Sequence, residues 1–281
     1  GGSVGRRSRT ILIAAEVAGA VVLVVGASLL VESVWRLQQE PVGFEPSRAL
    51  AMEVAPPPVR YPDGSQIGFQ SALEERVKAI PGVVEVGSVN ILPLTANFDG
   101  RGFQVEADPR PEGQGPSAQA RSVTPGYFRA MGIPLVRGRL LSDADREGAP
   151  LVVLVSQSLA ERHWPGEDPI GQRITFNSGI PDEEAVPIGG SGSREVVGVV
   201  GDVKHLEVGA DAVPTFYTPQ AQPPSYHTMT LVVRAGGDAE QIVPSIREEL
   251  AALDPNVPLS QVRSLEGVVA GSVAGTRLQA T

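Results

Sequence analysis

Three histidines, His163, His205 and His227, are the only imidazoles among 281 residues, and the chain has no cysteine. None of the histidines sits in an HExxH string or any i,i+4 pair, so zinc-hydrolase spacing is missing and thiolate sites are excluded. Asp202 and His205 share one turn and could catch a metal between them, but a solvated turn is the plainer expectation. Asp143, Asp145 and Glu147 alternate like the opening of a calcium loop, yet Leu154 stands where the closing glutamate belongs. They read as solvated loop acids. Ser156 and Ser158 follow an apolar strand as a nucleophile would, but no GxSxG surrounds them, and Ser156 is expected to cap a short helix instead. There is no GxxxxGK[ST] phosphate loop, and GVVGD (Gly198–Asp202) lacks the spacing of a dinucleotide fingerprint. The pairs Glu74-Glu75 and Glu248-Glu249 are expected on the solvent faces of two helices. The chain is therefore read as having no catalytic, cofactor-binding or metal site, and as not an enzyme.

The elements that would have to position any site begin with an apolar run, Ile11–Val31, which holds a single ionisable side chain, Glu16. A helix rising ~1.5 Å per residue would carry that run across about 30 Å, the thickness of a bilayer's hydrocarbon core. Arg6, Arg7 and Arg9 precede it, which places the N-terminus in the cytoplasm and the bulk of the chain outside. Trp35 falls at the outer interface. A cleaved signal peptide, with VGA before Ser28 as the processing site, is the competing reading. The apolar stretch is longer than a usual signal h-region, and the chain opens GGSVG without an initiator methionine, as an internal piece of a longer protein would. Glu16 has three readings: snorkelling, contact with neighbouring membrane helices, or a proton relay. Gly19 and Gly26 share a face and would admit a close helix neighbour.

Net charge is −9, with few aromatics. That balance argues against nucleic acid as a partner. The many prolines and glycines predict short elements and turns. An internal echo organises the rest. Ser47–Ala55 reads as a strand and SQIGFQSALEERVKAI as an amphipathic helix with Phe69, Leu73, Val77 and Ile80 on one face. After the Pro81-Gly82 stop comes a strand. Near the other end the same order recurs: strand Thr228–Ala235, an Asp238 cap, a helix with Ile242, Ile246, Leu250 and Leu253 aligned, the Asp254-Pro255 break, and a strand. Pro244 fits that helix's first turns. The segment between, about Thr95–Tyr226, reads as mostly β with short helices, and Asn177–Ser193 as a mobile surface loop.

The strings PGYFRAMGIPLVRGR, GAPLVVLVSQSLAERHWPGEDPIGQRITF and REVVGVVGDVKH, in this order, resemble the periplasmic core domain of MacB/FtsX-type ABC transporter permeases. The similarity is closest to the second half of large duplicated orphan permeases and spans about Arg6 to Leu278. His163 stands where an aromatic residue is more usual, and the loop Asn177–Ser193 is long. The resemblance implies an α+β fold: one N-terminal transmembrane helix, then a ferredoxin-like subdomain of two βαβ halves split by a mostly-β inserted subdomain. The implied layout is a cytoplasmic segment 1–10, a transmembrane helix 11–31 and a linker 32–46. A ferredoxin-like porter follows, over 47–94 and 227–264, with 95–226 inserted and 265–281 leading to the next membrane helix.

The implied function is that of a permease in the bacterial inner membrane, whose extracytoplasmic domain couples cytoplasmic ATP hydrolysis to export or mechanical work. The implied partners are a separate cytoplasmic ABC ATPase subunit, a second permease copy or half, a periplasmic adaptor or substrate protein, and the lipid bilayer. No cofactor is implied. The levers would be the junction Glu32–Phe44 and the segment Ser264–Leu278. A membrane-anchored sensor or adaptor without transport, and an anchored envelope hydrolase, are the competing classes.

Overall fold

A computed structural model describes residues 19–21, 23–28, 40–62, 64–95, 97, 99–106, 115–177, 192–223, 226 and 228–279. The chain divides into two compact units, Gly1–Pro41 and Val42–Thr281. In the first, residues 19–21 and 23–28 are helical and exposed, with Leu23 75% exposed. The rest of the apolar run, with Glu16, the flanking arginines and Trp35, lies outside the described residues. Among the described residues, no helix is long and apolar enough to cross a membrane.

The second unit is mixed α/β. Its first strand, β1 (Ala49–Val54), is an almost wholly buried apolar run. Helix α1 (Ser65–Lys78) starts after Gly64 and buries Phe69, Leu73 and Val77 at helical spacing. Pro81-Gly82 then stops the helix and turns the chain into β2 (Val83–Val89). Next come β3 (Gly100–Val105), β4 (Ser117–Val123), the single turn α2 (Tyr127–Met131) and β5 (Leu135–Gly138). The fully buried β6 (Val152–Ser156) leads into α3 (Gln157–His163). As the sequence predicts, Ser156 caps α3, its hydroxyl accepting from the Leu159 N–H at 3.4 Å. Strands β7 (Arg173–Asn177), β8 (Ser193–Val200), β9 (Thr215–Pro219) and β10 (Met229–Ala235) follow. Asp238 caps a 3-10 turn, Ala239–Ile242, that runs into α4 (Val243–Leu253). Pro244 lies in the first turn of α4, where its missing N–H would have had no partner. The chain closes with β11 (Leu259–Ser264) and the helix α5 (Leu265–Gln279).

The echo in the sequence becomes an interleaving in space. The two strand–helix–strand halves merge in the order β11-β1-β10-β2, with every neighbour antiparallel. One face of this sheet carries α1 and α4. Leu50, Met52, Val54, Leu231 and Val233 on the strands meet Phe69, Leu73, Ile246 and Leu250 on the helices in one core. Period-2 alternation on the strands and 3.6-residue spacing on the helices create that shared apolar layer.

The segment between β2 and β10 forms a second core. Pairing runs from β3 to β4, to β9, to β6, to β8, to β7 and back to β3, so the strands close into a ring. Two of these pairings, β4–β9 and β6–β8, are parallel, which requires long connections rather than hairpins. Phe103, Val105, Ala118, Ala120, Ile174 and Phe216 fill the interior, and Leu159 and Trp164 from the α3 region join the same core. GRGFQVEA and AQARSV pair as β3 against β4. The loop predicted to be mobile, Asn177–Ser193, lies outside the described residues except at its ends.

Candidate functional site

Several of the side chains that raised chemical readings make contacts that hold the fold together. Ser158 donates to Asp202 Oδ1 at 2.6 Å and lies 3.1 Å from the Ser156 oxygen. Ser156 also accepts from the Thr215 N–H at 3.0 Å, so this cluster ties α3 to β9 and to the end of β8. His205 does not meet Asp202. It is buried, with Nε2 3.3 Å from the Tyr217 hydroxyl. Burial, then the nearby Arg121 guanidinium, drive its pKa well below the ordinary imidazole value, so the ring is neutral. His163 sets its ring edge-on to Phe103 at 5.1 Å. His227 lies outside the described residues. Among those described, no group of three or more His, Cys, Asp or Glu gathers to hold a metal.

Two expectations are corrected. Asp145 is not a solvated loop acid. It is buried and takes both arms of the Arg139 fork at 2.7 and 2.8 Å, together with the Ser142 N–H at 2.8 Å. Burial alone would raise its carboxyl pKa, but these donors bring it below the usual range. Asp143 and Glu147 are exposed as predicted.

Nor is Glu74 on a solvent face. It is half-buried, and its Oε1 accepts from the Ser88 hydroxyl at 2.6 Å. The Ser88 oxygen in turn takes the Gln70 amide at 2.5 Å, and the Ser88 N–H donates to the Thr124 hydroxyl at 2.7 Å. A polar cluster therefore joins α1, β2 and the segment ahead of α2. Burial raises the Glu74 pKa above the ordinary carboxyl value, partly offset by bonds from Ser88, Thr124 and Gln70. The folded protein keeps a proton that the unfolded chain releases, so stability falls as pH rises from about 4.3 through the raised value. Glu74→Gln is expected to gain on the parent across that window and to match it most closely at about pH 4. Urea midpoints of both proteins at about pH 4 and about pH 7 check this; a gap that does not widen with pH would contradict it.

Beyond these clusters, the most constrained geometry among the described residues is that of the chain's way in and way out. The incoming segment is clamped from three sides. Val42 and Phe44 are buried; the Val42 carbonyl accepts from the Lys204 N–H at 3.0 Å, and the Glu45 N–H donates to the Met131 carbonyl at 2.9 Å. Gly43 has a positive φ of 84° and presses on the Asp202–Val203 backbone, where a Cβ would land on the Asp202 carbonyl oxygen. Arg234 of β10 then gathers three carbonyls with one fork: Ala130 at 2.8 Å, Ser47 at 2.9 Å and Glu45 at 2.6 Å.

The way out lies beside it. Leu50 of β1 pairs with Ser264 of β11, so the start of one strand adjoins the end of the other. The Ser264 hydroxyl accepts from the Gly267 N–H at 3.1 Å and opens α5, which buries Leu265, Val268 and Val273. Between α5 and the sheet face that carries no helix of the first core runs a groove of about 590 Å³, floored by Ala51, Glu53 and Thr230.

The chain matches the family described as the MacB-like periplasmic core domain over residues 10–249. It belongs to that family. Among solved structures, the periplasmic region of MacB from Actinobacillus actinomycetemcomitans is similar, with 15% identity, a TM-score of 0.51, and coverage of 88% of this chain and 99% of that one. The extracellular domain of the noncanonic ABC-type transporter YknZ from Gram-positive bacteria aligns at 15% identity and a TM-score of 0.45, over 75% of this chain and all of that one. No curated protein matches. The MacB-like fold agrees with the resemblance read from the motif strings. Reading the sequence missed the Arg234 fork and the groove. The only signal for the fork was one charged side chain within the apolar strand TLVVRA; the groove, built from five separate segments, left none.

Proposed function

We propose that this MacB-like domain is the extracytoplasmic part of an ABC-type permease, and that it transmits movement between membrane helices and a partner on the outer face. In this reading Ile11–Val31 spans the membrane with its N-terminus in the cytoplasm. Residues 265–281 lead to the next span, and a separate ATPase subunit hydrolyses ATP. The four-stranded unit, residues 47–94 with 227–264, is a ferredoxin-like porter, on the strength of its interleaved strand order; residues 95–226 are the inserted subdomain.

One observation carries the reading: the incoming segment and α5 are joined to adjacent strand ends, Leu50 against Ser264. Two membrane connections leaving side by side would act directly on the β1–β11 pair. The Arg234 fork passes the same displacement to α2. Rigid elements linking two sites are what coupling requires, and no acid or base takes part.

These 281 residues contain no cysteine, so a label introduced among them has one site here. Val59, 96% exposed, lies beyond the Val54 end of β1, at the end of the sheet opposite the Leu50–Ser264 pair. With Val59→Cys spin-labelled in the full-length protein and its ATPase, the distance between labels on two copies is expected to shift when ATP is added. An identical distance distribution with and without ATP would end this reading.

A further inference from the structure

The groove beside α5 has a composition that narrows what it can hold. At about 590 Å³ it falls within the roughly 300–1,000 Å³ typical of ligand sites. On its floor, Gln261 donates to Glu53 Oε2 at 2.9 Å and accepts from Arg263 at 2.9 Å. On the wall that begins at Asn90, the Asn90 side chain accepts from the Ser122 N–H at 2.9 Å, while its own amide nitrogen is buried without a partner among the described residues. Thr95, Asn97 and Glu207 continue this wall. The opposite wall is α5, which presents Gly267, Gly271 and Gly275. A Cβ on Gly271 or Gly275 would meet nothing within 4 Å, so no neighbour among the described residues requires the bare backbone there. Each helical glycine nonetheless costs about 1 kcal/mol relative to alanine.

Beside the apolar Ile91, Leu92, Leu94, Leu206 and Val268, the charged and polar lining groups narrow the ligand class. Glu53 and Glu207 outnumber Arg263, in a chain of net charge −9, which disfavours phosphates and anionic lipids. Among the described residues no aromatic ring lines the groove, which leaves sugars and nucleobases without a described stacking platform. Amide and hydroxyl side chains both donate and accept, as a peptide backbone demands, and the glycine wall lets a chain lie close. We propose that the groove binds an extended peptide segment bearing lysine or arginine, its cationic side chain set toward Glu53 and Glu207 and its backbone along α5. An occupant there touches both the sheet and the outgoing helix, so binding and the position of α5 are reciprocally linked. The inference does not depend on transport.

The test is fluorescence polarisation of the 281-residue chain with a labelled glycine-serine decapeptide carrying two lysines, and with its glutamate counterpart. The lysine peptide is expected to bind saturably, at least about tenfold tighter than the glutamate peptide. Glu53→Gln is expected to weaken it about tenfold, and Gly271→Leu to abolish it with the thermal midpoint kept or raised. No saturable binding up to about 1 mM would overturn the proposal. So would parent-like binding by both variants, which marks general attraction to an acidic protein.

Discussion

Gly87→Ala is expected to cost the domain on the order of 3 kcal/mol or more, a fall in melting temperature of about 6–12 °C for a domain of this size. The cause is a crossing of two backbones. A Cβ on Gly87, in the middle of β2, would strike the Tyr127 nitrogen and the Gly126 carbonyl carbon, and a Cβ on Gly126 would strike the Val86 carbonyl oxygen. Neither side can retreat. Gly87 is held in register opposite Val232 of β10, and the flanking Thr124 N–H donates to the Ser88 carbonyl at 3.0 Å. On the far side, Tyr127 and Phe128 are fully buried, with the Phe128 ring edge-on to Tyr217 at 5.1 Å. Overpacking a contact with no free volume forces backbone shifts. Gly68→Ala on α1, where an added Cβ meets nothing within 4 Å, serves as the control and should be neutral or stabilising by up to about 1 kcal/mol. Thermal unfolding of the two variants decides it; equal midpoints would show that the crossing is looser than this packing requires.

Arg234→Met is expected to lower stability by about 3 kcal/mol and to loosen the incoming segment selectively. Three carbonyls lose a charged donor at once: Ala130, Ser47 and Glu45. Bonds to a charged group contribute about 1.5–3 kcal/mol each, but three on one fork are not additive. Arg234→Lys should recover only part of the loss, because an ammonium point charge cannot span three carbonyls set around a planar fork. Hydrogen exchange gives the sharper readout. The Glu45 N–H, bonded to Met131, should exchange faster in the Met variant, while amides of α4 keep their protection relative to the global stability. Uniform acceleration everywhere would mean that Arg234 stabilises the fold without specially clamping the incoming chain.

What the sequence disclosed follows from the range of the forces involved. Helical spacing in α1 and α4, the Pro81-Gly82 stop and the Ser156 and Asp238 caps are local, and each is found where the pattern places it. The repeat of strand, helix and strand was also visible, because apolar periodicity repeats with it. Ring closure through the parallel β4–β9 pair was not, since no local pattern records a pairing across nearly a hundred residues. Glu74 was misread for a subtler reason. It sits four residues after Gln70 and next to Leu73, at the margin of the buried stripe, where Gln66 and Gln70 are themselves buried. Asp145 was misread because its partner, Arg139, belongs to the strand exit before the acidic loop, and alternation of acids says nothing about a fork folded back onto them.

The interleaved strand order also bears on how the chain is made. The neighbours of β1 are β10 and β11, both far along the chain from it. A ribosome therefore releases β1 with nothing to pair with until residues 229–264 have been synthesised. The ring of strands from β3 to β9 needs no later segment and can condense first. Such distant pairing makes completion of the first sheet slow, and meanwhile it leaves an apolar strand edge uncovered. Within this domain, the first strand waits for the last two while everything between them is made.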